Sequence, residues 1–155
     1  MLNSKIDTLR NDYTFVKYID RNKGVSLVMN NDTGCLYIKK ELDEYNTRVY
    51  EQLQSKGING IPKIKEIVTG TKVLCIVEDY IYGQDMAKMY DDGVRLTEQK
   101  LIEYMIQLTD ILTQLHKLNP PVIHRDIKPS NLMINEKDQL FLIDYNPQNK
   151  QSSHY

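Results

Sequence analysis

Apolar and polar residues roughly alternate from Tyr13 to Ile19, and this period of two predicts a strand. Asp20-Arg21-Asn22-Lys23-Gly24 reads as a turn, and Val25 to Met29 as a second strand. Asn30-Asn31-Asp32-Thr33-Gly34 has strong turn chemistry and leads to a third strand, Cys35 to Lys39. The pattern then changes period. Leu42, Tyr45, Val49 and Leu53 recur at three- and four-residue steps, which predicts a helix from Glu41 to Lys56 that stops at Gly57. Two more strands follow, Ile61 to Val68 and Val73 to Val77, joined by Thr69-Gly70-Thr71-Lys72. Residues 1–12 read as a polar lead-in with little pattern. The first half is therefore expected to be five strands with one helix after the third.

The second half is mainly helical. Tyr80-Ile81-Tyr82-Gly83 reads as a connector, and Asp85 to Tyr90 as a short helix ending near Asp91-Asp92-Gly93. Thr97 is a good N-cap for a long helix running to about Leu118, where Asn119-Pro120-Pro121 ends it. Its apolar positions include Leu101, Ile102, Met105, Ile106, Leu108, Ile111, Leu112 and Leu115. That stripe is wider than a surface helix needs, so cover on more than one side is expected. Two short strands, Leu132 to Ile134 and Leu140 to Ile143, flank the turn Asn135-Glu136-Lys137-Asp138.

Composition narrows the class. A chain of 155 residues suffices for one domain, and 41% hydrophobic with 26% charged residues is ordinary for a globular protein. The net charge of −1 gives no basic field to attract nucleic acid. Cys35 and Cys75 lie in apolar runs and are expected to be buried free thiols, as suits a reducing cytoplasm. No stretch has the length of a membrane span, and Met1-Leu2-Asn3-Ser4-Lys5 lacks the apolar core of a signal peptide. A soluble, cytoplasmic protein is expected.

The chemistry concentrates in His124-Arg125-Asp126-Ile127-Lys128-Pro129-Ser130-Asn131 and, thirteen residues later, in Leu142-Ile143-Asp144-Tyr145. These stretches resemble the catalytic loop and the metal-binding motif of protein kinases, specifically bacterial eukaryotic-like (Hanks-type) serine/threonine kinases. The resemblance implies an α+β, protein kinase-like fold. Residues 1–82 would form an N-lobe and hinge, a five-stranded antiparallel sheet with one helix, and residues 83–155 a partial, mainly helical C-lobe. It implies ATP and Mg²⁺ as cofactors and protein hydroxyls as substrates. Asp126 would orient the attacking hydroxyl, and Lys128 would balance charge on the transferred phosphoryl group. Asn131 and Asp144 would hold Mg²⁺ through hard oxygen ligands. Lys39, ending Leu36-Tyr37-Ile38-Lys39 where the family has Val-Ala-Ile-Lys, would hold the α- and β-phosphates. The Asp79 carbonyl and the Ile81 N–H would meet the adenine edge, next to Glu78 as an unusually polar gatekeeper. His124 and Arg125 would brace the loop.

Three departures from the family pattern bear on function. Gly24 alone remains of the glycine-rich phosphate loop, and Asp20 adds negative charge there that Arg21 or Lys23 would offset. The helix register puts Asn46 where the family has a glutamate to pair with the lysine, with Glu44 and Glu51 nearby. The resemblance stops soon after Asp144, and the tail Pro147 to Tyr155 is polar and expected to be disordered. Without later helices the long helix would expose an apolar face, so dimerisation through helix 98–118 is expected. Besides an active kinase, the alternatives are a nucleotide- or partner-binding module of pseudokinase type, a small-molecule phosphotransferase remnant disfavoured by Lys128, and an inert product.

Overall fold

A computed structural model of the chain describes Leu9, residues 11–43 and residues 45–145. The described residues fall into two compact units. One holds the described residues up to Ser55 together with Lys63–Tyr80; the other holds Lys56–Pro62 and the described residues from Ile81 onward.

The first unit is built on an antiparallel sheet of β1 (Tyr13–Asp20), β2 (Val25–Asn30), β3 (Leu36–Leu42), β4 (Ile64–Thr69) and β5 (Leu74–Asp79). Its strand order is β1-β2-β3-β5-β4. Helix α1 (Thr47–Lys56) lies between β3 and β4 in sequence, and the Gln54 side chain donates to the Ile64 and Lys65 carbonyls of β4 at 3.4 and 3.1 Å. Directly paired residues share a sheet face. Val25, Leu27, Ile38, Lys40, Leu74, Ile76 and Glu78 therefore lie on one face. Ser26, Val28, Tyr37, Lys39, Cys75 and Val77 lie on the other. On that second face Leu9, Tyr13, Val28 and Val77 form a buried cluster, with Tyr37 and Val68 packed against it. Leu9 is part of the lead-in that had shown no pattern, and its burial gives that segment a packing role.

Three expectations need correction. The third strand does not end at Lys39; pairing with β5 carries it on to Leu42, so α1 starts at Thr47 rather than Glu41. Asn46 then precedes the helix, its carbonyl accepting from the Val49 N–H at 3.1 Å, and so lies on no helix face. Glu44 lies outside the described residues, and Glu51 is exposed. Cys35 is exposed; only Cys75 is buried, and both are free. The tail Pro147 to Tyr155 also lies outside the described residues.

The second unit has a sheet of β6 (Gly83–Asp85), β7 (Leu132–Asn135) and β8 (Leu140–Leu142). Strand β6 takes Gly83 from the expected connector and Asp85 from the expected short helix, because three residues are too few to show a period. Helix α2 (Met86–Asp91) starts where Asp85 caps it by accepting from the Lys88 N–H at 2.9 Å. Helix α3 (Glu98–His116) is capped by Thr97, as its sequence predicts, with the hydroxyl accepting from the Lys100 N–H at 3.2 Å. Tyr104, Leu108, Ile111 and Leu115 of α3 are buried, and each such apolar side chain contributes about 1.5–3 kcal/mol. The Tyr104 hydroxyl and the Lys100 ammonium both bond Asp138, and the Leu140 N–H donates to Gln107 at 2.8 Å, fastening the β7–β8 turn to α3. Leu101, Ile102, Met105 and Ile106 of α3 remain exposed, so the stripe is covered on one side only. No helix among the described residues is long and apolar enough to cross a membrane.

Gly60 ties this unit together. Its carbonyl accepts from the Leu142 N–H at 2.9 Å, and its φ of +80° sits in the left-handed region. A Cβ there would meet the Ile111 side chain at 2.4 Å.

Candidate active site

In the second unit the site is a loop anchored at both ends. After α3, the Val122 N–H donates to the Leu115 carbonyl at 3.1 Å, and Val122 is buried. His124 comes next and is 1% exposed. Its Nε2 lies 2.8 Å from the Ile143 carbonyl, and its Nδ1 accepts from the Asp126 N–H at 3.3 Å. That pairing assigns the neutral tautomer with the proton on Nε2. His124 thus braces the loop, in line with its expected role, and stacks edge-on against Tyr145 at 5.4 Å.

Asn131 makes the other tie. Its side-chain amide donates to the Asp126 carbonyl at 2.7 Å and to the Asp126 carboxylate at 3.0 Å. Its own carbonyl accepts from the Ile143 N–H at 3.0 Å. Pro129 starts a 3-10 turn over Pro129–Asn131 and holds Lys128 extended. Lys128 then places its ammonium 2.8 Å from the Asp126 carboxylate. The Lys128 hydrogen bond, aided by Asn131, holds the Asp126 carboxyl below the usual carboxylate range, so it is ionised at neutral pH. Both side chains are about half exposed, at 45% and 44%. The carboxylate is therefore open to solvent.

Asp144 follows β8 in a strongly held stretch. Leu142 and Ile143 donate to Gly60 and Asn131, Ile143 accepts from His124, and the Tyr145 hydroxyl donates to the Leu142 carbonyl at 2.7 Å. Arg125 and Asp144 both have positive φ, +65° and +61°. For residues with a Cβ this costs about 1–2 kcal/mol each, and such strain gathers at functional positions. The structure thus joins Asp126, Lys128, Asn131 and the strand leading to Asp144 in one hydrogen-bonded assembly.

Asn131 and Asp144 carry hard oxygen donors of the kind Mg²⁺ takes. Both contacts of the Asn131 N–H₂ group go to Asp126, so its amide oxygen is the atom to offer a cation. Asp144 adds a carboxylate. Among the described residues no group of three or more His, Cys, Asp or Glu could hold a metal. Two hard oxygen ligands, with phosphate and water completing the shell, suit Mg²⁺ better than a metal caged by protein.

In the first unit the turn between β1 and β2 closes on itself. The Asp20 carboxylate accepts from the N–H groups of Asn22 and Lys23 at 3.0 and 3.2 Å. The Gly24 N–H donates to the Arg21 carbonyl at 3.3 Å, and the Gly24 carbonyl accepts from the Glu41 N–H at 3.0 Å. Gly24 has φ +64°, and a Cβ there would lie 2.7 Å from the Glu41 carbonyl oxygen. The glycine therefore serves the close approach of β2 to β3. Arg21 lies over the Tyr18 ring, 4.6 Å from its centroid.

The two β3 lysines part company. Lys39 forms an ion pair with Glu41 at 2.6 Å, on the face that carries Val77. Lys40 is buried on the opposite face, 2.6 Å from the Glu78 carboxylate. Asp79 ends β5, donates its N–H to the Lys63 carbonyl at 2.9 Å and pairs with Lys65 at 3.3 Å. Ile81 follows two residues later, ahead of β6.

The protein kinase domain profile matches residues 23–154. The chain belongs to the protein kinase family. Its fold is protein kinase-like, with the five-stranded antiparallel sheet, one helix in that unit and a short helical C-terminal part. Among its kinase relatives, the Aurora/IPL1-related protein kinase 2 of Caenorhabditis elegans is 36% identical over 74 residues, covering 48% of this chain and 24% of that protein. A probable serine/threonine-protein kinase of Clostridium acetobutylicum is 29% identical over 129 residues, covering 79% of this chain and 19% of the relative. The CBL-interacting serine/threonine-protein kinase 21 of Arabidopsis thaliana is 30% identical over 145 residues, covering 90% and 30%. The chain thus spans less than a third of these kinases' lengths.

Sequence reasoning missed the Lys40–Glu78 pair, Gly60 and the hydroxyl of Tyr145. The first had a signal: the period of two along β3 puts Lys40 on the same face as Ile38, opposite in facing to Lys39. The other two are tertiary contacts that no local pattern announces.

Proposed function

We propose that this kinase-family chain transfers the γ-phosphoryl group of Mg-ATP to serine or threonine hydroxyls of proteins. The observation that carries the reading is the Asp126–Asn131–Ile143 assembly, in which a reactive carboxylate and a metal-ligand amide are joined by one 3.0 Å hydrogen bond. Asp126 orients the substrate hydroxyl and accepts its proton as the oxygen–phosphorus bond forms. Lys128 keeps positive charge beside the attacked phosphoryl group. Asn131 and Asp144 would hold Mg²⁺, which when bound would neutralise charge on the phosphates. Free thiols at Cys35 and Cys75 fit a cytoplasmic setting. Self-association through Leu101, Ile102, Met105 and Ile106 of α3 is not supported by the kinase relationship; light scattering at micromolar concentration decides it.

A second reading is favoured by the turn at Asp20. Its N–H groups are taken by the Asp20 carboxylate, so backbone cover of phosphates is weak. On that reading the chain binds nucleotide or a partner without transfer. The test is radiolabel transfer from [γ-³²P]ATP to a generic protein substrate. The kinase reading expects incorporation that Asp126→Ala lowers about 10³-fold or more, while Mg-ATP binding survives. Binding without incorporation in the unaltered protein selects the second reading.

A further inference from the structure

Asp144 is held from both sides. Upstream, Ile143 donates its N–H to the Asn131 carbonyl at 3.0 Å, and its own carbonyl lies 2.8 Å from His124 Nε2. Downstream, the Tyr145 hydroxyl turns back and donates to the Leu142 carbonyl at 2.7 Å, so one hydrogen bond spans Asp144. Leu142 is itself well fixed: it is fully buried at the end of β8, and its N–H donates to the Gly60 carbonyl at 2.9 Å. The clasp from Leu142 to Tyr145 therefore starts on a paired strand and closes around the half-buried Asp144.

What the hydroxyl adds to the ring is direction. The Tyr145 ring is buried and packs edge-on against His124, with 5.4 Å between centroids. Burial of apolar surface is non-directional and tolerates small rotations of the ring and of the backbone behind it. A hydrogen bond weakens steeply as its angle opens. The phenol thus restrains the torsions between positions 142 and 145, among them the Asp144 φ of +61°. A residue with a Cβ leaves that left-handed conformation for a commoner one unless its surroundings hold it. The direction of the Asp144 carboxylate follows its backbone, and a metal ligand that must first be ordered binds more weakly than one held in place.

We propose that the Tyr145 hydroxyl is a positioning group for metal binding: its bond across Asp144 to the Leu142 carbonyl keeps the Asp144 carboxylate in the one orientation that takes Mg²⁺. Tyr145 acts through Asp144 and is not itself a ligand. This assignment rests on the Mg-ATP reading given above.

The test separates metal binding from folding. ATP is titrated calorimetrically over a range of Mg²⁺ concentrations, and again with EDTA, against the unaltered chain, Y145F, D144N and the double variant D144N/Y145F. Y145F keeps the ring and removes only the hydroxyl, and a cooperative thermal transition checks its fold. Expected in Y145F is a rise of about three- to ten-fold in the half-saturating Mg²⁺ concentration, with metal-free ATP affinity kept within about two-fold. Phosphoryl transfer by Y145F should return to within about two-fold of the unaltered kcat once Mg²⁺ is saturating. D144N should raise the Mg²⁺ requirement further, and adding Y145F to it should shift the requirement by less than about two-fold, because no carboxylate is left to aim. A folded Y145F with the Mg²⁺ requirement of the unaltered chain overturns the assignment. An equal loss of affinity for metal-free ATP overturns it too, as do fully additive effects in the double variant, since either result makes the bond a support of the fold alone. An unaltered chain that binds no ATP at any Mg²⁺ concentration sinks the kinase reading itself and the assignment with it.

Discussion

The loop around Asp126 and the turn at Asp20 are held in opposite ways. The loop's bonds run to distant parts of the chain: His124 reaches Ile143, Asn131 reaches Ile143, and Leu142 reaches Gly60. The turn's bonds are mostly local, Asp20 to Asn22 and Lys23 and Gly24 to Arg21, with one longer reach from the Gly24 carbonyl to the Glu41 N–H. A chemical group fixed by long-range bonds keeps its place only while the unit is folded, and it is held to a narrow geometry. A turn closed on itself keeps its shape but spends its N–H donors doing so. The loop around Asp126 is thus preorganised by tertiary structure, while the turn at Asp20 is closed on itself.

Substituting His124 attacks that difference most directly. His124→Ala strands the Ile143 carbonyl and the Asp126 N–H in a buried place and leaves a cavity against Tyr145. A loss of about 2–4 kcal/mol is expected, a fall of roughly 5–15 °C in melting temperature for a chain of this size. Phosphoryl transfer should fall further than stability explains, because Asp126 and Asp144 lose a common brace. Thermal denaturation and a transfer assay on the folded fraction check both. Unchanged transfer in a folded variant would show that the loop keeps its geometry without this bridge.

Gly60→Ala tests the next support outward. The new methyl meets Ile111 at 2.4 Å in a backbone conformation that disfavours any Cβ. About 2–3 kcal/mol of destabilisation is expected, measured by urea unfolding. An effect near zero would mean that the segment carrying Gly60 does not hold β8 and the residues leading to Asp144.

Legibility in the sequence follows the same divide between local and distant bonding. The strands of the first unit were visible because alternation is local, and Thr97 was a visible cap for the same reason. The octapeptide His124 to Asn131 was legible because its residue types and spacing match a motif of the family. The end of β3 was misplaced because Lys40-Glu41-Leu42 has no apolar alternation of its own; pairing with β5 extends the strand. The same error made Lys39 look terminal and hid Lys40, which pairs with a carboxylate 38 residues away on another strand. Cys35 was misread because its apolar neighbours Leu36 and Ile38 are in the sheet, whereas Cys35 itself lies in the turn that bonds Asn30.

The smallest expected effect probes the turn. Asp20→Ala removes the acceptor of the Asn22 and Lys23 N–H groups and one negative charge, all on an exposed surface. Water replaces the carboxylate at those donors, so stability should change by only about 0.5–1 kcal/mol. The consequence for anion binding has the opposite sign. Two N–H groups become available to phosphate oxygens, and a repulsive charge is gone, with Arg21 and Lys23 left nearby in sequence. Mg-ATP affinity should rise about two- to five-fold at low salt, and the gain should shrink as salt screens the lost charge. Adenosine affinity should not move. A gain for Mg-ATP alone would mean that the inward-looking turn restrains phosphate binding through Asp20. An equal change for both ligands would locate the effect in sheet stability, and no change for either would place the turn outside phosphate contact.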